Sequence, residues 1–564
     1  MAPDALTVAV VWGRLVAIAE EMATALANTS YSEQVQSGDF SNAVFDTRGR
    51  LVAQANRSPA HLGSMPHAVE HMLSYYPPES LQDGDVLIMN DPHLGAGHLP
   101  DVFGLSPVHA DGELVGFVCG SIHVTDVGGM LPGSQAVVGV TELVQEGLRL
   151  LPVPLFRAGE PVDEVVRIIE ANVRVPDLVL GDLRALRSAL FVGSRKLAEL
   201  MLRYGRETVE RCVDTFLDSS EQAVRTEIAT IPDGTYCFVD HLDDIGPDTD
   251  PVRLECAVTV EGTEIDFDFT GTDPETPSGL NSTLSYTRSY CYWVTKAITT
   301  KDSIPQNSGQ VRPMSVRAPE GSFFNPTQRV AVGGRACLNQ KIVEVVFGAL
   351  AQAIPERVCA ASGQWINPIF GGVDPDSGDP FVFYDYILGG VGARAQRDGV
   401  DAMSPVFSVE SVPLEVQEAR NPVIIERFEL MADSGGAGRH RGGLSIRKDV
   451  RLLADGMTLS NLTDRQRFAP YGLDGGREGA LGVTVANPGT EEELKLESKG
   501  AYTLKKGDLV SLRCSGSAGF GPPEERPRDA VRSDLRQGLI SAHSARDVYG
   551  LDESEVAAIA RGEA

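Results

Sequence analysis

A change of hydrophobic period near Ile231 limits the fold of this chain more than any other feature. Upstream, from Pro161 to about Thr230, "VDEVVRIIEAN" and "ALRSALFVGSRKLAELMLRYGRETVERCVDTFLDSSEQAVRTEIATI" carry long apolar stripes at helical spacing with charged outer faces. Downstream, "PDGTYCFVDHLDD" and "VRLECAVTVEGTEIDFDFTGT" alternate apolar and polar residues, as paired strands do. A purely helical or purely β fold satisfies only one side of that change. The chain therefore reads as mixed α/β and α+β, and as multidomain, since 564 residues suffice for several units of roughly 150 residues each.

The remaining elements fit that reading. "ALTVAVVWGRLVAIAEEMATALANTS" is one long amphipathic helix with a polar stop, and "SNAVFDTRGRLVAQA" is a hairpin around the turn Asp46, Thr47, Arg48, Gly49. "MPHAVEHMLSYY" reads as a helix, "DVLIMND" as a buried strand ending at Asp91, and "ELVGFVCGSIHV" as another strand. "SYTRSYCYWVTKAITT" and "QKIVEVVFGALAQAI" are two further helices, "PVIIERFELM" is a strand, and glycine-punctuated strands run from Gly435 to a short terminal helix, "ESEVAAIARG". The expected layout is an N-terminal α/β region over 1–160, a helix-rich segment over 161–230, a central α+β region over 231–425 and a mainly β portion over 426–564.

Composition excludes several function classes. A formal net charge of -29 disfavours nucleic acid and anionic membrane surfaces as partners, because both are polyanions. No window approaches the length of apolar chain that a membrane span requires, and the first residues lack the basic start and apolar core of a signal peptide, so a cytoplasmic protein is expected. The eight cysteines are widely separated and form no CxxC pair, which suits buried reduced thiols better than a disulfide framework.

Chemistry concentrates in residues 90–129, where four of the ten histidines stand with four aspartates among glycines. "HLPD" supplies His98 and Asp101 just past a strand end, and "HVTD" on the next strand supplies His123 with Asp126 behind it. Imidazole and carboxylate together are a common ligand set for zinc, manganese or iron, and a catalytic site needs about three such groups plus an open position. Spacing alone leaves a solvated or helix-capping pair open, because no HExxH-type signature fixes the geometry. His61, His67, His71 and His109 read as surface or core histidines.

Longer blocks carry more information. "SGDFSNAVFDTRGRLVAQANRSPAHLGSMPHAV", "NDPHLGAGHLPDVFGLSPV", "DFDFTGTDPETPSGLNSTLSYTRS", "VRAPEGSFFNPTQRVAVGG", "GALAQAIPERVCAAS", "DSGGAGRHRGGLSIRKDV" and "DRQRFAPYGLDGG" occur in one order over nearly the whole length. With these blocks the chain resembles the hydantoinase B family, which also holds the carboxyl-terminal part of oxoprolinases and the alpha-type subunits of ATP-dependent ketone carboxylases. The resemblance implies a two-component enzyme. A separate A-type subunit would bind ATP and phosphorylate the substrate's carbonyl oxygen, while this B-type subunit, in an α2β2-type hetero-oligomer, would hold a divalent metal and finish the reaction. The family's metal motifs fall on Asp39 in "GDFS", on His98 and Asp101, and on His123; a short "GDFS" could equally cap a turn. The chain departs from the family pattern at Ser121, where an arginine is common, at Val124, where a second histidine is common, and at His93 and Gly97. Those changes remove a cation from the pocket and bear on substrate identity more than on metal binding.

The implied reaction is hydrolysis of a small cyclic amide such as a lactam, a hydantoin or 5-oxoproline. Zinc is the first expectation for the metal, with manganese and iron as alternatives. Asp126 is then expected behind the ligands as acceptor or base, and Asp91 as a further acid, although a turn aspartate before Pro92 is the plainer reading of the latter. ATP binding by this chain is not expected, since a P-loop requires a Gly-Lys pair and the sequence contains none. Glycine-rich stretches bearing Arg394, Arg439, His440 and Arg441 could cradle a phosphorylated intermediate or simply form tight turns. Three other functions stay open: a ketone carboxylase subunit, a noncatalytic scaffold for the A-type subunit, and a metallohydrolase that needs no ATP.

Overall fold

The computed structural model describes residues 4–58, 61–299 and 306–562. The opening stripe forms α1 (Ala5–Thr29), started by Asp4, whose carboxylate accepts the amide hydrogens of Leu6 and Thr7, each at 3.0 Å. A single turn, α2 (Glu33–Gln36), leads into the hairpin β1 (Phe40–Phe45) and β2 (Leu51–Gln54) expected around Asp46. After α3 (His61–Tyr75) come β3 (Val86–Met89), β4 (Asp101–Ala110), β5 (Glu113–His123), β6 (Val153–Arg157) and the short β7 (Glu160–Pro161). These strands form one seven-stranded sheet in the order β2-β1-β5-β4-β3-β6-β7, and every pairing in it is antiparallel.

The helical stretch then covers one face of that sheet. α4 (Asp163–Asn172), α5 (Pro176–Tyr204) and α6 (Arg206–Ile228) share a core with α1 and with the inward residues Val44, Val52, Val102, Val118 and Ile122. Strand alternation sends the intervening residues to the opposite face. There Ala43, Phe45, Phe103, Leu105, Phe117 and Cys119 pack on Met65, Val69 and Met72 of α3. The helix-rich segment thus buries its apolar stripes against the first sheet.

The change of period falls where α6 ends at Ile228 and β8 (Gly234–Leu242) begins. With β9 (Val252–Glu261), β10 (Glu264–Asp268) and β11 (Met314–Arg317), β8 makes a four-stranded sheet in the order β11-β10-β9-β8, covered by α7 (Leu284–Ile298) and α8 (Asn339–Leu350). Two further sheets follow. One orders β12 (Ile369–Val373), β13 (Pro380–Tyr384), β16 (Met457–Leu462) and β19 (Lys499–Leu504) as β13-β12-β16-β19. The other orders β14 (Val423–Leu430), β15 (Ile446–Leu452), β17 (Val483–Ala486), β18 (Leu494–Leu496) and β20 (Leu509–Arg513) as β14-β15-β20-β17-β18, with α9 (Leu414–Arg420) beside β14. Three terminal helices, α10 (Arg528–Arg536), α11 (Ala542–Asp547) and α12 (Glu553–Ala560), stand where the sequence suggests one, because the first two carry too few apolar residues to show a stripe. No helix among the described residues is long and apolar enough to cross a membrane. All eight cysteines are unpaired, and seven are buried, with Cys237 exposed.

Candidate metal centre

The site grows from the register of the first sheet. Asp101 opens β4 and His123 closes β5, and the hairpin register sets them directly opposite each other. Asp101 thus lies past the end of β3, as expected, and also heads the next strand. Alternation puts both side chains on the face of Phe103, Phe117 and Cys119, so the polar rows Asp101/His123 and Ser41/Ser121 lie at one end of an otherwise apolar surface. His98 arrives from the preceding loop. That loop is folded by Asn90, whose amide donates to Leu99 and Leu148 carbonyls, and by Asp91, which caps a 3-10 turn at Pro92–Leu94. Gly97 in this loop has φ +82°, and a Cβ there would come within 2.2 Å of the Tyr286 ring.

His98, Asp101 and His123 each offer a ligand atom, and these atoms all lie within 4.8 Å of one another. All three residues are buried, at 1–2% exposure, which rules out ordinary solvated side chains. His98 Nδ1 donates to the Gly333 carbonyl at 3.1 Å, so its proton is on that side of the ring. Its Nε2 then presents a lone pair 3.2 Å from Asp101 Oδ1, without a hydrogen bond. His123 Nδ1 is also buried and unpartnered. Two buried imidazole nitrogens without partners in a cluster that also holds a carboxylate are costly unless a cation lies nearby.

Electrostatics hold these groups in ligand form. Burial lowers the pKa of His98, reinforced by the Arg335 charge, and burial with the neighbouring His98 pushes His123 down to about 3. Both rings are therefore neutral. Burial alone would raise the Asp101 carboxyl, but His98, protonated in the acid range where this group titrates, and Arg335 outweigh it and hold the group well below the usual carboxylate range. Asp101 Oδ2 is ion-paired with the buried Arg335 and accepts the Tyr286 hydroxyl at 3.3 Å. The Arg335 guanidinium in turn stacks 3.5 Å from the centre of the Tyr286 ring. The buried cation beside Asp101 thus comes from the 3-10 segment Gly333–Leu338, which also gives His98 its carbonyl acceptor.

The other expected residues divide. Asp39 is buried next to the trio: its carbonyl accepts the His123 amide hydrogen at 3.1 Å and its carboxylate accepts the Tyr386 hydroxyl at 3.0 Å. Burial and the Asp101 charge push the Asp39 carboxyl up to about 7. It is not within 4.8 Å of all three. Asp126 is spent on structure, taking the amide hydrogens of Gly128, Gly133 and Arg174 and the Arg174 guanidinium, all between 2.8 and 3.0 Å. These four donors make Asp126 an acceptor that clamps the 128–133 loop. Asp91 is a turn cap paired with Arg149.

The glycine-rich stretches are packing devices. A Cβ on Gly392 would come within 1.7 Å of the Ala360 carbonyl, and one on Gly516 within 1.6 Å of the Ser434 carbonyl, so the glycines let backbone lie on backbone. Three of their four basic side chains lie against carboxylates. Arg439 pairs with Glu525 at 3.0 Å, Arg441 with Asp401 at 3.2 Å, and His440 lies 3.7 Å from Asp398. Arg394 bridges by its backbone to Cys359 and Arg397. An anion cradle at these loops gains no support from that arrangement.

Sequence reasoning missed His61, Arg335, Tyr286, Gln135, Tyr384 and Tyr386. His61 is buried one row in from the trio, between the hydroxyls of Ser41 (3.0 Å) and Ser121 (3.3 Å). Gln135 touches both ligand histidines, and the Tyr384 ring lies 5.1 Å from that of His123. A signal existed for one of these: "GGRACLNQK" sets arginine and lysine in a run that otherwise reads as core.

Known proteins resemble the chain over nearly its whole length. The family profile described as Hydantoinase B/oxoprolinase matches residues 4–523. The chain is 35% identical to an uncharacterized protein of Methanocaldococcus jannaschii, covering 97% of this chain and 96% of the other. It is 31% identical to the caprolactamase subunit beta of Pseudomonas jessenii over 97% and 96% of the two chains. It is 30% identical to 5-oxoprolinase 1 of Arabidopsis thaliana, covering 90% of this chain but 41% of that longer one. Among solved structures, the ATP-dependent caprolactamase from Pseudomonas jessenii superposes with a TM-score of 0.89 at 29% identity over 99% of both chains. A nucleotide-free acetone carboxylase gives 0.88 at 20% identity over 99% of this chain and 82% of that one, a likeness of fold.

Proposed function

This chain belongs to the hydantoinase B/oxoprolinase family, and on that premise we propose that it is the metal-dependent hydrolytic subunit of a two-component, ATP-dependent cyclic amide hydrolase. The observation that carries the reading is the pair of unpartnered imidazole nitrogens, His98 Nε2 and His123 Nδ1, buried with the Asp101 carboxylate. Neutral rings and an ionised carboxylate are the protonation states that ligation requires. His98, Asp101 and His123 would hold the ion, with Asp39 as the fourth group, since a second buried carboxylate beside Asp101 also needs a positive neighbour. A divalent ion bound there supplies a Lewis acid and a water acidic enough to ionise at about pH 7.

The chain's own residues do the rest. Arg335 and Tyr286 pin Asp101 Oδ2, which leaves Oδ1 turned toward the histidines. Gly333 fixes the His98 proton, and Glu146, accepting the amide hydrogens of Val332 and Gly333, fixes the Gly333 turn. Activation of the amide is assigned to an A-type partner, because phosphorylating the carbonyl oxygen makes a poor electrophile a good one and this sequence has no Gly-Lys pair for a P-loop. The relatives matched at 30% identity or more include a caprolactamase and a 5-oxoprolinase, whereas the carboxylase is matched in fold alone. A cyclic amide is accordingly the substrate class.

Elemental analysis of the purified chain and of a His98→Ala, His123→Ala double variant tests this reading. Near-stoichiometric zinc, manganese or iron is expected in the first and none in the second, followed by ATP-dependent ring opening once the partner is added. A chain that takes up none of these ions after reconstitution removes the hydrolytic mechanism.

A further inference from the structure

Both ligand histidines meet one amide. Gln135 Nε2 lies 3.0 Å from His123 Nε2 and 3.5 Å from His98 Nδ1, while Gln135 Oε1 is 2.7 Å from the Asn367 amide nitrogen. That same Asn367 nitrogen is 2.7 Å from the Tyr384 hydroxyl. The two ends of a side-chain amide are sterically alike, so hydrogen bonding decides which faces where. With nitrogen toward the histidines the accounts do not close. His98 Nδ1 already carries a hydrogen, which it gives to Gly333, so a donor would face a donor. A donor on His123 Nε2 would force that ring's proton onto Nδ1, which is buried and has no acceptor.

Turning both amides by half a rotation resolves each conflict. Gln135 Oε1 then accepts from His123 Nε2–H and faces His98 Nδ1–H. Its nitrogen donates to Asn367 Oδ1, which also accepts the Tyr384 hydroxyl. The lone pairs left over are those of His98 Nε2 and His123 Nδ1, the two ring atoms that are buried without a partner. We infer that Gln135, braced by Asn367 just before β12 and by Tyr384 of β13, is the positioning residue that sets the proton on the far side of the His123 ring and faces the proton that Gly333 sets on His98. This rests on the metal-site reading above and adds to it the residue that makes the rings ligands.

The opposite orientation makes opposite predictions, so one substitution separates them. In the full chain, Gln135→Glu keeps oxygen toward the histidines and is expected to bind zinc at least as tightly as the unmutated protein, measured by competition with a chromogenic chelator. Gln135→Leu is expected to bind it roughly 10–100-fold more weakly, the usual effect of removing a partner of a ligand histidine. A Glu variant as weak as the Leu variant, or a Leu variant as tight as the unmutated protein, overturns the assignment. A second measurement does not involve metal. Nitrogen-15 spectra of the histidine-labelled, metal-free chain should show the His123 ring, identified by its loss in His123→Ala, protonated at Nε2. Protonation at Nδ1 refutes the inference. A chain with the expected protonation that binds no ion would instead remove the hydrolytic reading and leave the amide assignment standing.

Discussion

Glu146 gives burial in this centre a measurable cost. The side chain is almost wholly buried; Oε1 accepts the amide hydrogens of Val332 and Gly333, Oε2 has no partner, and burial pushes the carboxyl from 4.5 up to about 8 despite those two bonds. At about 1.36 kcal/mol per pKa unit, the ionised form costs the folded chain on the order of 5 kcal/mol. The folded pKa lies above the unfolded one, so the folded state holds the proton more tightly. Its stability is untouched below pH 4.5, falls as the pH climbs toward about 8, and carries the whole cost above that. Glu146→Gln keeps an oxygen for both amides and removes the titration. The new amino group costs something where Oε2 had no partner, but equally at every pH. Urea unfolding of both proteins between about pH 5 and pH 9 should therefore show the stability difference moving by several kcal/mol in favour of the glutamine variant as the pH rises. A difference that stays constant across this range would refute the argument, whatever its size.

Two further outcomes follow from the assignments above. Asp126→Asn keeps an acceptor for the 128–133 loop but discharges the ion pair with Arg174, and should lower stability by about 2 kcal/mol with metal content unchanged; elemental analysis beside denaturant unfolding checks it, and turnover lost at full stability would restore a chemical role to this aspartate. In the glycine-rich loops, Gly392→Ala drives a Cβ against the Ala360 carbonyl and should cost about 3 kcal/mol or abolish folding, whereas Arg439→Ala removes a half-exposed ion pair and should change stability by about 1 kcal/mol at most, with turnover kept. Lost turnover in a stable Arg439→Ala protein would bring back the anion cradle.

The fold was legible where local pattern and tertiary demand agree. The hairpin around Asp46, the long α1 and the passage from α6 to β8 are all written in periodicity. β4 was not, since Gly104 and Pro107 interrupt its alternation and it pairs on both sides within a sheet, so non-local partners and not its own pattern make it a strand. For the site, His98, Asp101 and His123 lie in one short segment, and a register of directly opposed residues brings two of them together. Arg335, Tyr286 and Asn367 reach the same place from 185 to 234 residues away in sequence from the groups they touch. Spacing carries no trace of such contacts.

The first sheet supplies the ligands, but each ligand is made usable from elsewhere: His98 by the Gly333 carbonyl, Asp101 by Arg335 and Tyr286, His123 by Gln135, which Asn367 and Tyr384 brace. On both rings the partner engages the nitrogen opposite the orphan one. A ligand trio isolated on the sheet would be three solvated side chains with mobile protons and no preferred geometry. Closing the central region over it excludes water, neutralises the rings and holds the carboxylate ionised, so the geometry of the trio depends on packing between regions as much as on three residues.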